Sequence, residues 1–329
     1  MSASRLLGLR PFFLSHLITG HCNFLCPQCL WKNNAAGDLT AGEIRRFYAE
    51  AQSQGFIANY VWGGEPLQRR DVAAILAASR AAGLFTLVNT NAWFLAQRLD
   101  EIAPSVDAFI LSLDHPLAEL HDAHRGLTGS HARVLDAIDL VHRSQPGLTI
   151  IVNTLVMRQN LDALDEMLEL WRRLGVAGYM NFIERDLMRA GRRDETRSSD
   201  LDLTPEELRR AAAHLARRQS EGAPILNSRA YFDTFANGRR PYRCHFPKVF
   251  LEVCADGSVV DCTATERPVG NVSRDRLRDI LGRPRIAGMI EDGARWCSVH
   301  NNADRIDTSL TWELHPPVLL TLGRLAWGR

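Results

Sequence analysis

Residues 13 to 29 read FLSHLITGHCNFLCPQC: a seven-residue strand-like run, a short link, then Cys22, Cys26 and Cys29 on one loop. The run in front of the cysteines is the first of six. The others are FIANYVW (56–62), LFTLVNT (84–90), VDAFILSLD (106–114), LTIIVNTLV (148–156) and VAGYMNFI (176–183). Between them lie amphipathic helical stretches. TAGEIRRFYAEAQSQG has Thr40 as N-cap with Glu43 completing a capping box, and LDALDEMLELWRRLG closes on Gly175. Parallel strands need crossover helices, so this alternation predicts a parallel sheet in an α/β fold. The expected architecture is a partial, open TIM-like barrel of six β/α units, (β/α)6, with a doubly wound sheet as the alternative. In either case chemistry collects at the C-terminal ends of the strands. The cysteine loop then falls on the functional mouth.

The chain has 329 residues, enough for one large domain plus a smaller one. A formal net charge of +1 offers no electrostatic reason to expect nucleic acid as a partner. No apolar run reaches 18 residues, and the N-terminal stretch, broken by Pro11 and His16, lacks a small-residue cleavage site. A cytoplasmic location is expected. In that reducing setting an odd count of seven cysteines reads as metal ligands or reactive thiols, not as a disulfide framework. The polar stretch ERDLMRAGRRDETRSSDLDL (184–203) reads as a linker or surface loop. A helix follows from Thr204 with Pro205 in its first turn. Beyond residue 226 come short strands, turns and the other four cysteines. The expected partition is an N-terminal extension (1–12), the barrel (13–225), a small C-terminal β-hairpin/α domain (226–302) and an amphipathic tail (303–329).

Three thiols are one short of a closed tetrahedral zinc site, and His21 or His16 would complete it only with poor spacing. Iron–sulfur cubanes are held by thiolates, and three of them leave one iron open for another ligand. Gly63, Gly64, Glu65 and Pro66 end the second strand. The glycines permit close backbone approach and leave carbonyls, with the Glu carboxylate, able to receive an ammonium group. Ser112 and Asp114 end the fourth strand, where they can hydrogen-bond a ribose.

In this order the motifs resemble the radical SAM family, whose cysteine motif is CxxxCxφC after the first barrel strand; Gln28 stands where an aromatic is usual. The resemblance implies a [4Fe–4S] cluster on Cys22, Cys26 and Cys29, with S-adenosylmethionine (SAM) bound at the open iron. Gln28 would meet adenine through its backbone, and the Gly63–Pro66 segment would bind the SAM amino group. Ser112 and Asn153 would meet the ribose and methionine moiety, with Asn91 and Asn181 as further candidates. HDAHRGLTGSHARVL, after the fourth strand, resembles the segment that follows it in many members. That makes Arg125 and Arg133 candidates for pairing with the SAM carboxylate, against a reading as solvated helix arginines. The implied chemistry is one-electron reduction of the cluster, supplied by a donor such as flavodoxin or ferredoxin, cleavage of SAM to a 5′-deoxyadenosyl radical, and abstraction of a substrate hydrogen.

The second cysteine set begins CHFPKVFLEVCADGSVVDC (244–262), where ADG marks a hairpin that brings Cys244 and Cys262 to one end of a small sheet. Cys297 follows, and three residues on stands His300. This layout resembles a SPASM or, with so few cysteines, a Twitch domain, and implies one auxiliary [4Fe–4S] cluster. Its fourth ligand stays open between His300, Cys254 and none. A zinc knuckle on Cys244, Cys262, Cys297 and His300 competes with it. Cys254 reads as a small buried residue, a ligand, or the hydrogen donor of a radical SAM epimerase. The resemblance implies oxidation, epimerisation or cross-linking of a small-molecule, lipid-like or peptide substrate. Only about a dozen residues precede the first strand, too few for a fused leader-reading domain. The tail PPVLLTLGRLAWGR (316–329) reads as a helix packed on the protein or as a peripheral membrane contact. The alternative of another class is a non-catalytic zinc-binding structural protein.

Overall fold

The structure is a computed structural model that describes residues 11–29, 37–184, 188–189, 192–193, 199–237, 242–262, 267–292, 296–297 and 300–312. The stretch 316–329, on which the expectation of membrane contact rests, lies outside the described residues. Among the described residues no helix is long and apolar enough to cross a membrane.

Six strands form in turn: β1 (Phe13–Thr19), β2 (Ala58–Gly63), β3 (Phe85–Thr90), β4 (Ala108–Ser112), β5 (Thr149–Val156) and β6 (Ala177–Phe182). They alternate with α1 (Ala41–Ser53), α2 (Val72–Ala81), α3 (Leu95–Ile102), α4 (Ala118–Arg125), α5 (Ser130–Ser144) and α6 (Leu164–Leu174). The local signals act as their chemistry dictates. Thr40 caps α1, its backbone N–H donating to the Glu43 carboxylate at 2.8 Å while its hydroxyl accepts from the Glu43 N–H. Gly175, at φ 66°, ends α6.

All neighbours from β1 to β6 are parallel and stand in chain order. A doubly wound sheet reverses its order at a switch point. This one does not, so its same-handed crossovers stack the helices on one side, as in a barrel. β5 shows the consequence: Ile150, Val152, Thr154 and Val156 are buried among the helices, while Ile151, Asn153 and Leu155 are half-buried on the concave side.

The chain then adds β7 (Met188–Arg189), β8 (Arg192–Arg193), α7 (Pro205–Ser220) and α8 (Arg229–Ala236). Next come β9 (Tyr242–Arg243), α9 (Phe246–Val249), β10 (Phe250–Val253), β11 (Ser258–Val260) and β12 (Pro268–Asn271). Last are α10 (Leu277–Leu281), α11 (Pro284–Asp292), β13 (Trp296–Cys297) and α12 (Ala303–Trp312). β10 pairs in parallel with β1, from Phe13–Phe250 to His16–Val253, and β11 and β12 continue antiparallel. The nine-stranded sheet thus runs β12-β11-β10-β1-β2-β3-β4-β5-β6. The predicted hairpin is built directly onto the β1 edge.

Candidate active site

The cysteine loop leaves β1 at the C-terminal mouth and is tied at both feet. The Thr19 hydroxyl donates to Asp38 Oδ2 at 2.6 Å, and the Gly20 N–H reaches Asp38 Oδ1. Arg69 donates to the Ile18 and Leu39 carbonyls and holds Asp71 through two bonds of 2.8 and 2.9 Å. One guanidinium therefore spans the strand end before the loop and the segment after it.

Gly63 and Gly64 bring the end of β2 against this loop. The Gly64 N–H donates to the Thr19 carbonyl and the Glu65 N–H to the His21 carbonyl, both at 2.8 Å. A Cβ at Gly63 would stand 2.4 Å from the Thr19 oxygen, and one at Gly64 2.1 Å from the His21 oxygen. Glu65 is fully buried. Its carboxylate accepts from the Leu67 N–H, the Thr90 hydroxyl and the Asn91 N–H at 2.9, 2.6 and 2.8 Å. Burial pushes its carboxyl up to about 7 against these bonds. Three of about four acceptor positions of that carboxylate are used, two of them to tie the end of β2 to the end of β3. Asn91 carries the tie onward, donating from Nδ2 to Asn23 Oδ1 at 3.0 Å, with Cys22 Sγ 3.9 Å away.

Burial raises the Cys22 thiol to about 12 and the Cys26 thiol to about 11, in the second case against the Arg125 charge. Cys26 Sγ lies 3.3 Å from the Arg125 carbonyl, and the Arg125 guanidinium pairs with Asp114 at 2.7 Å. Asp114 also accepts from the Leu155 N–H at 2.9 Å and is fully buried. The structure thus places Asp114 and Arg125 against each other beside the cysteine loop. Arg133 lies over the Trp93 ring at 5.3 Å, and Trp93 meets Phe24 of the loop edge-on. On the loop, Asn23 Nδ2 and Gln28 Oε1 are buried with no hydrogen-bond partner among the described residues. Neutral buried thiols and a partnerless acceptor are what a loop shows when a bound group supplies the missing interactions, and three thiols suit a cubane with one open iron.

Ser112 and Asn153 face each other in register on β4 and β5. Asn181 on β6 donates to Asn153 at 2.7 Å and accepts from the Ala303 N–H at the start of α12 at 2.8 Å. The C-terminal residues are thereby drawn onto the barrel mouth. Sequence reasoning missed the group that anchors them, Glu184, although its place just past the end of β6 was a signal. Its Oε1 lies 3.1 Å from His300 Nδ1 and accepts from the Asn301 N–H at 2.9 Å. His300 Nε2 is 3.1 Å from Cys262 Sγ, and the imidazole is 3% exposed. Burial opposes charge on His300, but Glu184 and Cys262 hold its pKa up, to about 10. Burial likewise opposes the Cys262 thiolate, yet the His300 hydrogen bond and the Arg305 charge bring that thiol below its usual range.

Cys244 directly follows β9, whose Tyr242 pairs with Cys297 in β13. The side chain of Cys297 lies outside the described residues, and among the described residues no three His, Cys, Asp or Glu groups already close on one metal position. Cys254 stands elsewhere. It begins the β10–β11 turn, where its N–H donates to the Ser258 carbonyl, whereas the pairing of Glu252 with Val260 sets Cys262 opposite Phe250. Four strand residues separate the two cysteines, roughly 13 Å. That spacing sets Cys254 toward the turn of the hairpin and Cys262 toward its open end.

The Radical SAM superfamily model matches residues 17–170, from β1 into α6. These residues form a radical SAM domain, whose cofactors are a [4Fe–4S] cluster and SAM. The chain is 32% identical over 191 residues to the AdoMet-dependent heme synthase of Methanosarcina barkeri, covering 56% of this chain and 53% of that protein. It thus spans about half the length of that relative. It is 24% identical over 276 residues to the PqqA peptide cyclase of Granulibacter bethesdensis, covering 79% and 70% of the two. SuiB of Streptococcus suis, solved bound to S-adenosylmethionine, superposes with a TM-score of 0.69 at 16% identity, over 85% of this chain and 68% of that one. That last likeness is one of fold. The family match sets aside a structural zinc site at residues 22–29.

Proposed function

We propose that the chain is a radical SAM tailoring enzyme that oxidises a peptide substrate with the help of one auxiliary iron–sulfur centre. The carrying observation is convergence. Asn181 and Glu184, at the end of β6, hold Ala303 and His300 over the mouth that carries the cysteine loop. Peptide substrates are supported by the relatives named PqqA peptide cyclase and by SuiB, also solved with its precursor peptide SuiA. The heme synthase relative supports a small molecule as the second substrate class. A cytoplasmic location and a flavodoxin or ferredoxin as electron donor belong to this reading.

When bound, the cluster and SAM supply a 5′-deoxyadenosyl radical that abstracts a substrate hydrogen. The chain's own contribution is positional. Cys22, Cys26 and Cys29 would hold the cluster, the Gly63–Pro66 segment and Asn91 would shape the loop around it, and Ser112, Asn153 and Gln28 would orient SAM. Glu65 acts through Asn91 as a positioning residue, and Arg125, paired with Asp114, sets positive charge beside Cys26.

A second reading, epimerisation, is supported by the position of Cys254. It follows Val253, the partner of His16, at the C-terminal end of a strand parallel to β1. Solvent deuterium appearing in the substrate, and lost in Cys254→Ala, distinguishes it from oxidation.

The test is anaerobic purification followed by reduction with dithionite and SAM. About eight irons per chain are expected, with release of 5′-deoxyadenosine that Cys22→Ala, Cys26→Ala or Cys29→Ala abolishes and Cys262→Ala spares. Deuterium moving from a labelled peptide into 5′-deoxyadenosine identifies the substrate class. Stoichiometric zinc, with no SAM cleavage after anaerobic cluster reconstitution, overturns the proposal.

A further inference from the structure

The fourth protein ligand of the auxiliary centre is the point at which the structure goes beyond the sequence. Its candidates were His300 and Cys254, and Cys254 stands at the far end of the hairpin from Cys262. His300 is set beside Cys262, with Nε2 facing the sulfur at 3.1 Å and Nδ1 facing Glu184 at 3.1 Å. The two groups bonded to Glu184 Oε1 come from consecutive residues, the His300 ring and the Asn301 backbone N–H, and Asn301 Nδ2 reaches the Ile183 carbonyl at 2.8 Å. The imidazole is therefore fixed at one nitrogen by a carboxylate and presents the other to a thiol. Metal-bound histidines are held in this way, with the remote ring nitrogen donating to a carboxylate or carbonyl that fixes the tautomer and orientation.

A nitrogen and a sulfur bound to one tetrahedral metal stand about 3.6 Å apart. The observed pair needs to open by only about half an ångström, and it is shielded from solvent on the histidine side: Cys262 is half-buried and His300 is 2% exposed. Backbone pairing of Tyr242 with Cys297, next to Cys244, brings two further cysteine positions together on the preceding short ribbon.

We infer that His300 Nε2 is a ligand of the auxiliary metal together with Cys262 Sγ, and that Glu184 is the positioning residue that holds the imidazole. This rests on the auxiliary-centre reading above. The mixed set leaves three thiolates and one imidazole, a donor set of lower negative charge than four thiolates.

The test removes the first cluster so that only the second is read. The full-length chain with Cys22, Cys26 and Cys29 all changed to Ala is purified without oxygen, its iron counted, and the dithionite-reduced centre examined by pulsed electron paramagnetic resonance for nitrogen coupling. About four irons and a nitrogen coupling are expected. His300→Ala should lose the coupling and at least half of the iron, while His300→Cys should lose the coupling and keep the iron. Glu184→Gln should keep the coupling with altered parameters and lose iron to a chelator several-fold faster.

A cluster without nitrogen coupling, its iron untouched by His300→Ala, overturns histidine ligation and leaves the auxiliary centre standing. Zinc in place of iron, with a nitrogen ligand by X-ray absorption that His300→Ala removes, upholds His300 as a ligand and overturns the iron–sulfur assignment. A chain with neither metal overturns both.

Discussion

Around the cysteine loop the smallest side chains are the most constrained. Gly64 has its α-carbon turned toward the His21 carbonyl, so a methyl group there would sit 2.1 Å from a backbone oxygen. Nothing flexible can yield. Gly64→Ala must push the loop away from β2, at a cost of about 1–3 kcal/mol and with displacement of Cys22 from its neighbours. The expected outcome is a lower thermal midpoint and less than half of the wild-type iron bound after reconstitution of the loop cluster. Gly42→Ala is the control, since its Cβ would meet only Thr40 Oγ1 at 3.9 Å. Iron content and midpoint equal to wild type in Gly64→Ala would show that the loop is not held by this approach. The glycines were legible as a motif, but the sequence suggested a ligand as the reason for them. The structure adds a second reason, the close approach of the chain itself.

At the scale of elements, β1 is fastened to α1 by a buried polar contact. His16 Nδ1 lies 2.9 Å from the Tyr48 hydroxyl, with Phe47 edge-on to the ring. Spacing made His16 a poor metal ligand, and the structure makes it a core residue. Burial, aided by the Arg69 charge, lowers its pKa from 6.5 to about 3. The sign follows from linkage. Below pH 6.5 the unfolded chain binds this proton and the folded chain does not, so stability present above pH 6.5 is lost as pH falls toward 3. Each pH unit in that window costs about 1.4 kcal/mol. Urea unfolding from pH 6.5 to 5 should show this slope, and His16→Leu should flatten it by about that amount whatever its absolute stability. An unchanged slope would place the acid sensitivity elsewhere. His121, lowered to about 2 by burial and by Arg125, adds a contribution of the same sign that His16→Leu leaves in place.

Across the whole molecule, the C-terminal segment is locked to the sheet by a buried ion pair. Arg305 on α12 reaches Glu252 on β10 at 2.5 Å, with both side chains at most 6% exposed, and its guanidinium lies 3.5 Å over the Phe246 ring. Removing one partner of such a pair leaves a buried charge uncompensated. Arg305→Met is expected to destabilise the protein by about 3–5 kcal/mol, and Arg305→Met with Glu252→Gln by clearly less. Equal losses in the single and double variants, measured by urea unfolding, would show that the charge pairing contributes nothing.

Residue types and their periodicity determined the six strands, the capped helices, the cysteine loop and the glycine turn, because those signals act within a few residues along the chain. The concave-face residues Ser112, Asn153 and Asn181 were legible for the same reason, since alternation along a strand sets every second residue on one face. Tertiary structure alone decided that β10 joins β1, that Glu65 ties two strands, and that Glu184 meets His300 across 116 residues of chain. A buried polar group must find its partner wherever the fold brings one, and that partner carries no mark in the local sequence.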